Sequence, residues 1–158
     1  AHGVAGDRLR FAPRMPLADY QTLHHEVDVL LDTFPYTGGT TTQHALWMGV
    51  PTITLAGLRR AERIGAANMS RVGLADWCVA STEAYVARAI AVAQDVEALA
   101  ALRAGLRERV ATSPLRQSHV VARSLELALR IMWQRWCEGL PPEAFEVTLE
   151  QALQGRPA

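Results

Sequence analysis

The chain has 158 residues, enough for one domain with a full core. Its 16 basic and 16 acidic residues cancel, which argues against a nucleic-acid or acidic-membrane partner. All 16 basic residues are Arg, so no lysine is at hand as Schiff base, general base or phosphate clamp.

In chain order, residues 9–12 read as a first strand, ended by Pro13 and Pro16. Residues 17–27 read as a short amphipathic helix with Leu17, Tyr20, Leu23 and His24 inward. The apolar run 28–32 is a buried strand. Asp28 and Asp32 flank it and are expected to bond loop amides, not to form a catalytic pair. A turn follows at 33–39, carrying Pro35, Gly38 and Gly39. Thr40, Thr41 and Thr42 then open a helix that Gly49, Val50 and Pro51 stop, and residues 52–55 form the next strand.

Beyond it, residues 56–60 make a second loop at a strand end, and residues 61–72 a helix. Residues 77–80 read as a short last strand. Ser81 and Asp95 are N-cap candidates for two further helices, the second with Leu99, Leu102, Leu106 and Val110 on one face. Ser113 and Pro114 break the chain. A long helix at 117–138 presents Val121, Leu125, Ala128, Leu129, Met132 and Trp136, with Trp133 off that stripe; so wide an arc packs on more than one surface. Gly139, Pro141 and Pro142 end it, and residues 143–153 are expected to form a final short helix. There are no internal repeats. The whole reads as α/β: a Rossmann-like parallel sheet flanked by helices in one domain over 1–158, with a helical extension from about 117.

Strand, glycine turn, helix and strand over 28–55 form the unit of an α/β sheet that usually binds a ligand. The first amides of a helix have no intrahelical partner, and the helix dipole adds partial positive charge there. Gly38 and Gly39 allow close backbone approach, and three threonines add hydroxyl donors. The pattern suits a phosphate or diphosphate; the alternative is a capped helix after a tight turn, with no ligand. It is neither a P-loop nor a GxGxxG motif. Arg59, Arg60 and Arg63 make either a solvated basic face or an aid to a diphosphate. Cys78 and Cys137 have no metal-site spacing, so no metal is expected, and the default is a reduced, cytoplasmic protein. No apolar run is long enough to span a membrane, and no signal peptide is expected. A start at Ala1-His2-Gly3, without Met, is expected of a piece of a longer protein.

The string DTFPYTGGTTTQHALWMGVP, from Asp32 to Pro51, closely resembles the donor-site segment of glycosyltransferase family 41, the O-linked N-acetylglucosamine transferases and their SPINDLY-like relatives. The resemblance continues through Leu55-Ala56-Gly57 and Arg63-Ile64-Gly65 and, less sharply, to Trp133-Gln134-Arg135-Trp136-Cys137. It implies the C-terminal half of a GT-B fold. It also implies inverting transfer of a sugar from a nucleotide sugar, UDP-N-acetylglucosamine or GDP-fucose, to Ser or Thr hydroxyls of an acceptor protein. No cofactor is implied beyond that donor substrate. The implied partners are the upstream half of the catalytic region and tetratricopeptide repeats, with the fragment alone inactive. On the same resemblance Gly38, Gly39, Thr40, Thr41 and Thr42 fall at the diphosphate. Arg14, Met15 and Pro16 fall at the base, and Tyr20 and Arg63 on the phosphate side, to which the basic cluster would add Arg59. His44 falls where the family has an acidic residue at the ribose, with Gln43 as a partial substitute, and Glu62 falls where Ser is usual. Catalytic residues are expected upstream. These two departures keep a non-catalytic nucleotide-sugar-binding module open, and another GT-B enzyme, such as a nucleotide-sugar 2-epimerase, is the third reading. The apolar face of the long helix is expected to lie open or to be covered by another copy.

Overall fold

The computed structural model describes residues 3–154. Three short parallel strands carry the fold: β1 (Leu30–Leu31), β2 (Thr52–Leu55) and β3 (Cys78–Val79), in the order β1-β2-β3. Leu30 lies opposite Thr52 and Leu31 opposite Ile53; Thr54 lies opposite Cys78 and Leu55 opposite Val79. Parallel neighbours need a crossover. Helix α2 (Thr40–Trp47) supplies the first and α3 (Ile64–Arg71) the second. Thr52, Ile53 and Thr54 of the central strand are fully buried, as a strand covered on both faces must be.

Around Ile53 the core gathers Leu46 of α2, Met69 of α3, Val72, Leu74 and Trp77. The outer layer comes from α4 (Thr82–Gln94), through Val92, and α5 (Val96–Thr112), through Leu99, Leu106 and Val110. Three side-chain caps fix where these segments begin. Ser81 Oγ accepts from Ala84 N at 3.1 Å, Asp95 Oδ1 from Ala98 N at 3.0 Å, and Ser113 Oγ from Leu115 N at 3.3 Å. Each satisfies an amide its segment leaves orphaned; Ser81 and Asp95 are the caps read from the sequence, whereas Ser113, read there only as a break with Pro114, is a further one.

The structure corrects several expectations. Residues 9–12 are not a strand: they follow a 3-10 turn (Gly6–Arg8) as unpaired chain, with Phe11 89% exposed. An extended run is stable only when a neighbour takes its backbone groups, and none does so here. Helix α1 (Leu17–Leu23) passes into a 3-10 turn (His24–Glu26); His24 is buried, whereas Leu17 faces out. The strand expected at 28–32 is confined to β1, and that at 77–80 to β3, because Trp77 sits in a 3-10 turn (Ala75–Trp77). The helix expected from 61 is preceded by a separate 3-10 turn (Arg60–Glu62). The last helix, α7 (Leu149–Gln154), is shorter than 143–153. The long helix α6 (Ser118–Cys137) packs on α7 and on the turn at Pro114–Arg116. Its stripe of Val121, Leu125, Leu129 and Met132 is more than half exposed, and Trp136 is 77% exposed.

Candidate functional site

The site grows from Asp32, at the carboxyl end of β1. Its amide donates to Ile53 O, which holds the residue in register with β2. Its carboxylate, 6% exposed, looks the other way. Oδ1 accepts from Gly38 N at 2.7 Å and Oδ2 from Thr54 Oγ1 at 2.8 Å. Thus one buried carboxylate ties the sheet to the glycine turn. Its backbone carbonyl accepts from the Tyr85 hydroxyl at 2.8 Å. Burial and the nearby Asp32 charge push the Tyr85 hydroxyl up to about 12. The turn contains a cis Phe34–Pro35 peptide, which the sequence reading did not anticipate.

Glycines stand where this packing leaves no room. A Cβ on Gly38 would lie 2.6 Å from Thr42 Oγ1 and 3.0 Å from Asp32 Oδ1. One on Gly65 would lie 2.3 Å from Asp32 Oδ2 and 2.5 Å from Thr54 Oγ1. Gly65 is the first turn of α3, so its absent side chain lets α3 approach the end of the sheet. Thr37, fully buried, joins the two loops: its Oγ1 accepts from Gly65 N at 3.1 Å and donates to Ala61 O at 3.0 Å.

At the start of α2 no side chain caps the helix. The first intrahelical bond is Gln43 N to Gly39 O, so the amides of Thr40, Thr41 and Thr42 precede the ladder. Thr40 and Thr41 are exposed, whereas Thr42 is buried and donates its hydroxyl to Gly38 O at 3.0 Å. The outward donors at this end are therefore backbone amides and the hydroxyls of Thr40 and Thr41. Asn68, buried in α3, holds the same end: Nδ2 donates to Gly39 O, and Oδ1 accepts from Gln43 Nε2, both at 3.3 Å. Asn68 was not read from the sequence; its signal is a polar residue on the buried face of a helix.

Tyr20 and His44 come together, their rings 5.9 Å apart, and His24 packs edge-on against Tyr20 at 4.7 Å. Met15 and Pro16 sit just before α1, where Pro16 O accepts from Tyr20 N. The second glycine loop lies beside the α2 start, since Ile64 is the side chain nearest Gly39. Arg63 Nη1 donates to Gly57 O at 3.0 Å and closes that loop. Glu62 Oε2 accepts from Leu58 N at 2.8 Å and Arg59 N at 3.0 Å. Those bonds, led by the one from Arg59, and the Arg59 charge hold the Glu62 carboxyl below the usual carboxylate range. An internal carboxylate thus takes two amides of the second loop, while Arg60 and the Arg59 head remain exposed. Beside His44 a cleft of about 240 Å³ is lined by Gln43, His44, Trp47, Val110, Leu115 and Arg116.

Among the described residues no group of three or more potential metal ligands occurs, and no helix is long and apolar enough to cross a membrane.

With this geometry in hand, the likenesses to known proteins are specific. The glycosyl transferase family 41 model matches residues 1–125. A probable UDP-N-acetylglucosamine–peptide N-acetylglucosaminyltransferase SPINDLY of Eustoma exaltatum is 39% identical over 150 residues, 94% of this chain and 16% of that protein. The SPINDLY protein of rice is 41% identical over 133 residues, 84% of this chain and 14% of that protein. Among solved structures, a mutant of the Thermobaculum terrenum O-GlcNAc transferase superposes with a TM-score of 0.77 at 36% identity, covering 87% of this chain and 26% of that one. The chain spans about a sixth of the length of these SPINDLY relatives.

Proposed function

The chain belongs to glycosyltransferase family 41, and from that premise we propose that it is the donor-binding part of a protein O-glycosyltransferase. The donor is a nucleotide sugar, UDP-N-acetylglucosamine on the names its relatives carry, and the acceptor is a Ser or Thr hydroxyl of a protein. The observation that carries this reading is the uncapped start of α2, with free amides and two exposed threonine hydroxyls behind a glycine turn.

The chemistry follows from that end. In inverting transfer the acceptor hydroxyl gives up its proton to a base of the parent protein, and its oxygen bonds to the anomeric carbon as the bond from that carbon to the diphosphate breaks. Negative charge then grows on the departing diphosphate. Fixed amides and the positive end of a helix dipole, aimed where charge develops, stabilise that state without reorganisation. Asp32, Thr42 and Asn68 hold the Gly38–Gly39 segment so that these donors are in place beforehand. Tyr20, Met15, Pro16 and His44 form the neighbouring surface for the nucleoside. With no lysine in the chain, Arg59, Arg60 and Arg63 are the cations nearest by sequence. Arg63 donates to Gly57 O of its own loop, which leaves Arg59 and Arg60 for the phosphate side.

The open face of α6 and the share of the relatives' length covered both fit a chain that works with further sequence of its parent. That parent supplies the catalytic groups, the remaining lobe of the GT-B arrangement and tetratricopeptide repeats, and acts in the cytoplasm; in isolation the α6 face drives self-association. A second reading, a nucleotide-sugar-binding module without transfer, is favoured by Glu62 alone, because its carboxylate fills the second loop's amides. Incubating the full-length parent with labelled UDP-N-acetylglucosamine or GDP-fucose and a Ser/Thr peptide separates the two. Transfer from the UDP sugar, lost in Thr41→Val, supports the enzyme. Donor binding without transfer supports the module, and transfer from GDP-fucose alone overturns the donor assignment.

A further inference from the structure

Trp47 carries two guanidinium groups. Arg107 Cζ lies 4.6 Å and Arg116 Cζ 4.9 Å from the indole ring centroid. Among the described residues neither arginine is paired with a carboxylate, unlike Arg59, Arg88, Arg103, Arg130 and Arg135. Arg116 also lines the cleft beside Gln43 and His44. A guanidinium stacked on an indole keeps its N–H edge free and gives up little freedom on binding, because its plane is already set.

The cleft lies along α2, the helix that begins at the free amides. Thr40, Gln43, His44 and Trp47 are spaced i, i+3, i+4 and i+7, so they share one helix face. That face runs roughly 10 Å from the free amides to Trp47. At about 240 Å³ the cleft is smaller than the roughly 300–1,000 Å³ of a site for a whole small molecule, so it fits one moiety of a longer ligand. Its lining is mixed. Val110 and Leu115 give an apolar wall, and Arg116 gives donors. Gln43 spends Nε2 on Asn68, which turns its carbonyl oxygen free as an acceptor. Donors, an acceptor and an apolar wall suit a hydroxylated ring better than a bare phosphate.

We propose that Arg116, fixed on Trp47, is a donor-binding residue that donates hydrogen bonds to the sugar hydroxyl oxygens of the donor's nucleoside. The inference rests on the reading above, in which the diphosphate lies at the start of α2. Neither Arg116 nor Trp47 stood out in the sequence, because Arg116 lies 69 residues after Trp47 in a short turn after α5.

The test is a heteronuclear NMR titration of the chain with UDP, 2′,3′-dideoxy-UDP and pyrophosphate, following the Trp47 indole and Thr41 amide resonances. Wild type, Arg116→Ala, Arg116→Lys and Thr41→Val are compared. Arg116→Ala should weaken UDP about tenfold, the loss of a charge-assisted bond. It should leave pyrophosphate unchanged and barely affect the dideoxy nucleotide, with Arg116→Lys intermediate. UDP affinity unmoved by Arg116→Ala but lowered by Thr41→Val overturns this inference and leaves the diphosphate site standing. Equal losses for UDP and pyrophosphate in Arg116→Ala overturn it in favour of a phosphate ligand. If neither variant changes UDP binding, the reading on which the inference rests fails as well.

Discussion

Removing the Asp32 carboxylate should destabilise the fold more than any other single change near the site. Asp32→Ala deletes the acceptor of two bonds, from Gly38 N at 2.7 Å and Thr54 Oγ1 at 2.8 Å. Bonds to a charged acceptor are worth about 1.5–3 kcal/mol each, and a buried donor left unpaired costs about 1–3 kcal/mol. Thr54 is fully buried, so its hydroxyl cannot turn to water. The two losses together give an expected cost of about 3–5 kcal/mol, a large part of the roughly 5–15 kcal/mol that holds a domain together. Asp32→Asn keeps one acceptor for Gly38 N, and its amide can donate to Thr54 Oγ1, so about 1–2 kcal/mol is expected. Urea unfolding followed by far-UV circular dichroism gives both values from the midpoint and slope. Should Asp32→Ala fail to fold, Asp32→Asn still gives a value. Midpoints for Asp32→Asn and Thr54→Val both equal to wild type would refute the claim that this carboxylate ties the sheet to the turn.

Glycines should split by what surrounds them. Gly65→Ala meets Asp32 and Thr54 oxygens and should cost about 1–3 kcal/mol; Gly105→Ala, in mid-α5 with nothing within 4 Å, should gain about 0.5–1 kcal/mol, both read from urea midpoints. Thr52 Oγ1 is buried with no partner among the described residues, so Thr52→Val should be neutral or stabilising by up to about 1 kcal/mol in the same assay, and a loss above that would show a missed bond. Because the folded Glu62 carboxyl is lowered from 4.5, its contribution is full above that value and is lost as pH falls through the folded value. Glu62→Gln should therefore flatten the acid limb of stability against pH, and an unchanged limb would count against the loop contact. For Tyr85 the shift is upward, from 10.0 to about 12, so its contribution is full below 10 and is lost as pH rises through 12. Ultraviolet titration should show one late tyrosine, absent in Tyr85→Phe.

The sequence revealed what depends on short-range pattern. Ser81 and Asp95 cap where a hydroxyl or carboxylate just before a helical run predicts. The glycine turn, α2 and β2 followed from the apolar run, Gly38–Gly39 and Pro51, and from the family string. Residues 9–12 failed because strand formation depends on a neighbour and not on the strand's own residues. Leu17 was read inward by helical spacing, but α1 has little body to cover there. At the site the threonines and His44 were legible by likeness. The buried network of Asp32, Thr37, Thr54, Gly65, Asn68 and Tyr85 was largely not, since its members lie up to 53 residues apart and meet only once the sheet forms. Glu62 read as a departure from the family pattern; its bonds to Leu58 and Arg59 give that departure a structural role.

The central claim is that the start of α2 holds the donor's diphosphate. Calorimetric titration of the chain with UDP and with GDP, on wild type and Thr41→Val, tests it most directly. A few amide and hydroxyl bonds to phosphate must outweigh the ordering cost of association, so the account predicts a dissociation constant on the order of 1 mM or weaker. It predicts UDP preferred over GDP and binding about tenfold poorer in Thr41→Val. Micromolar binding by the wild type, or weak binding indifferent to Thr41→Val, would contradict it.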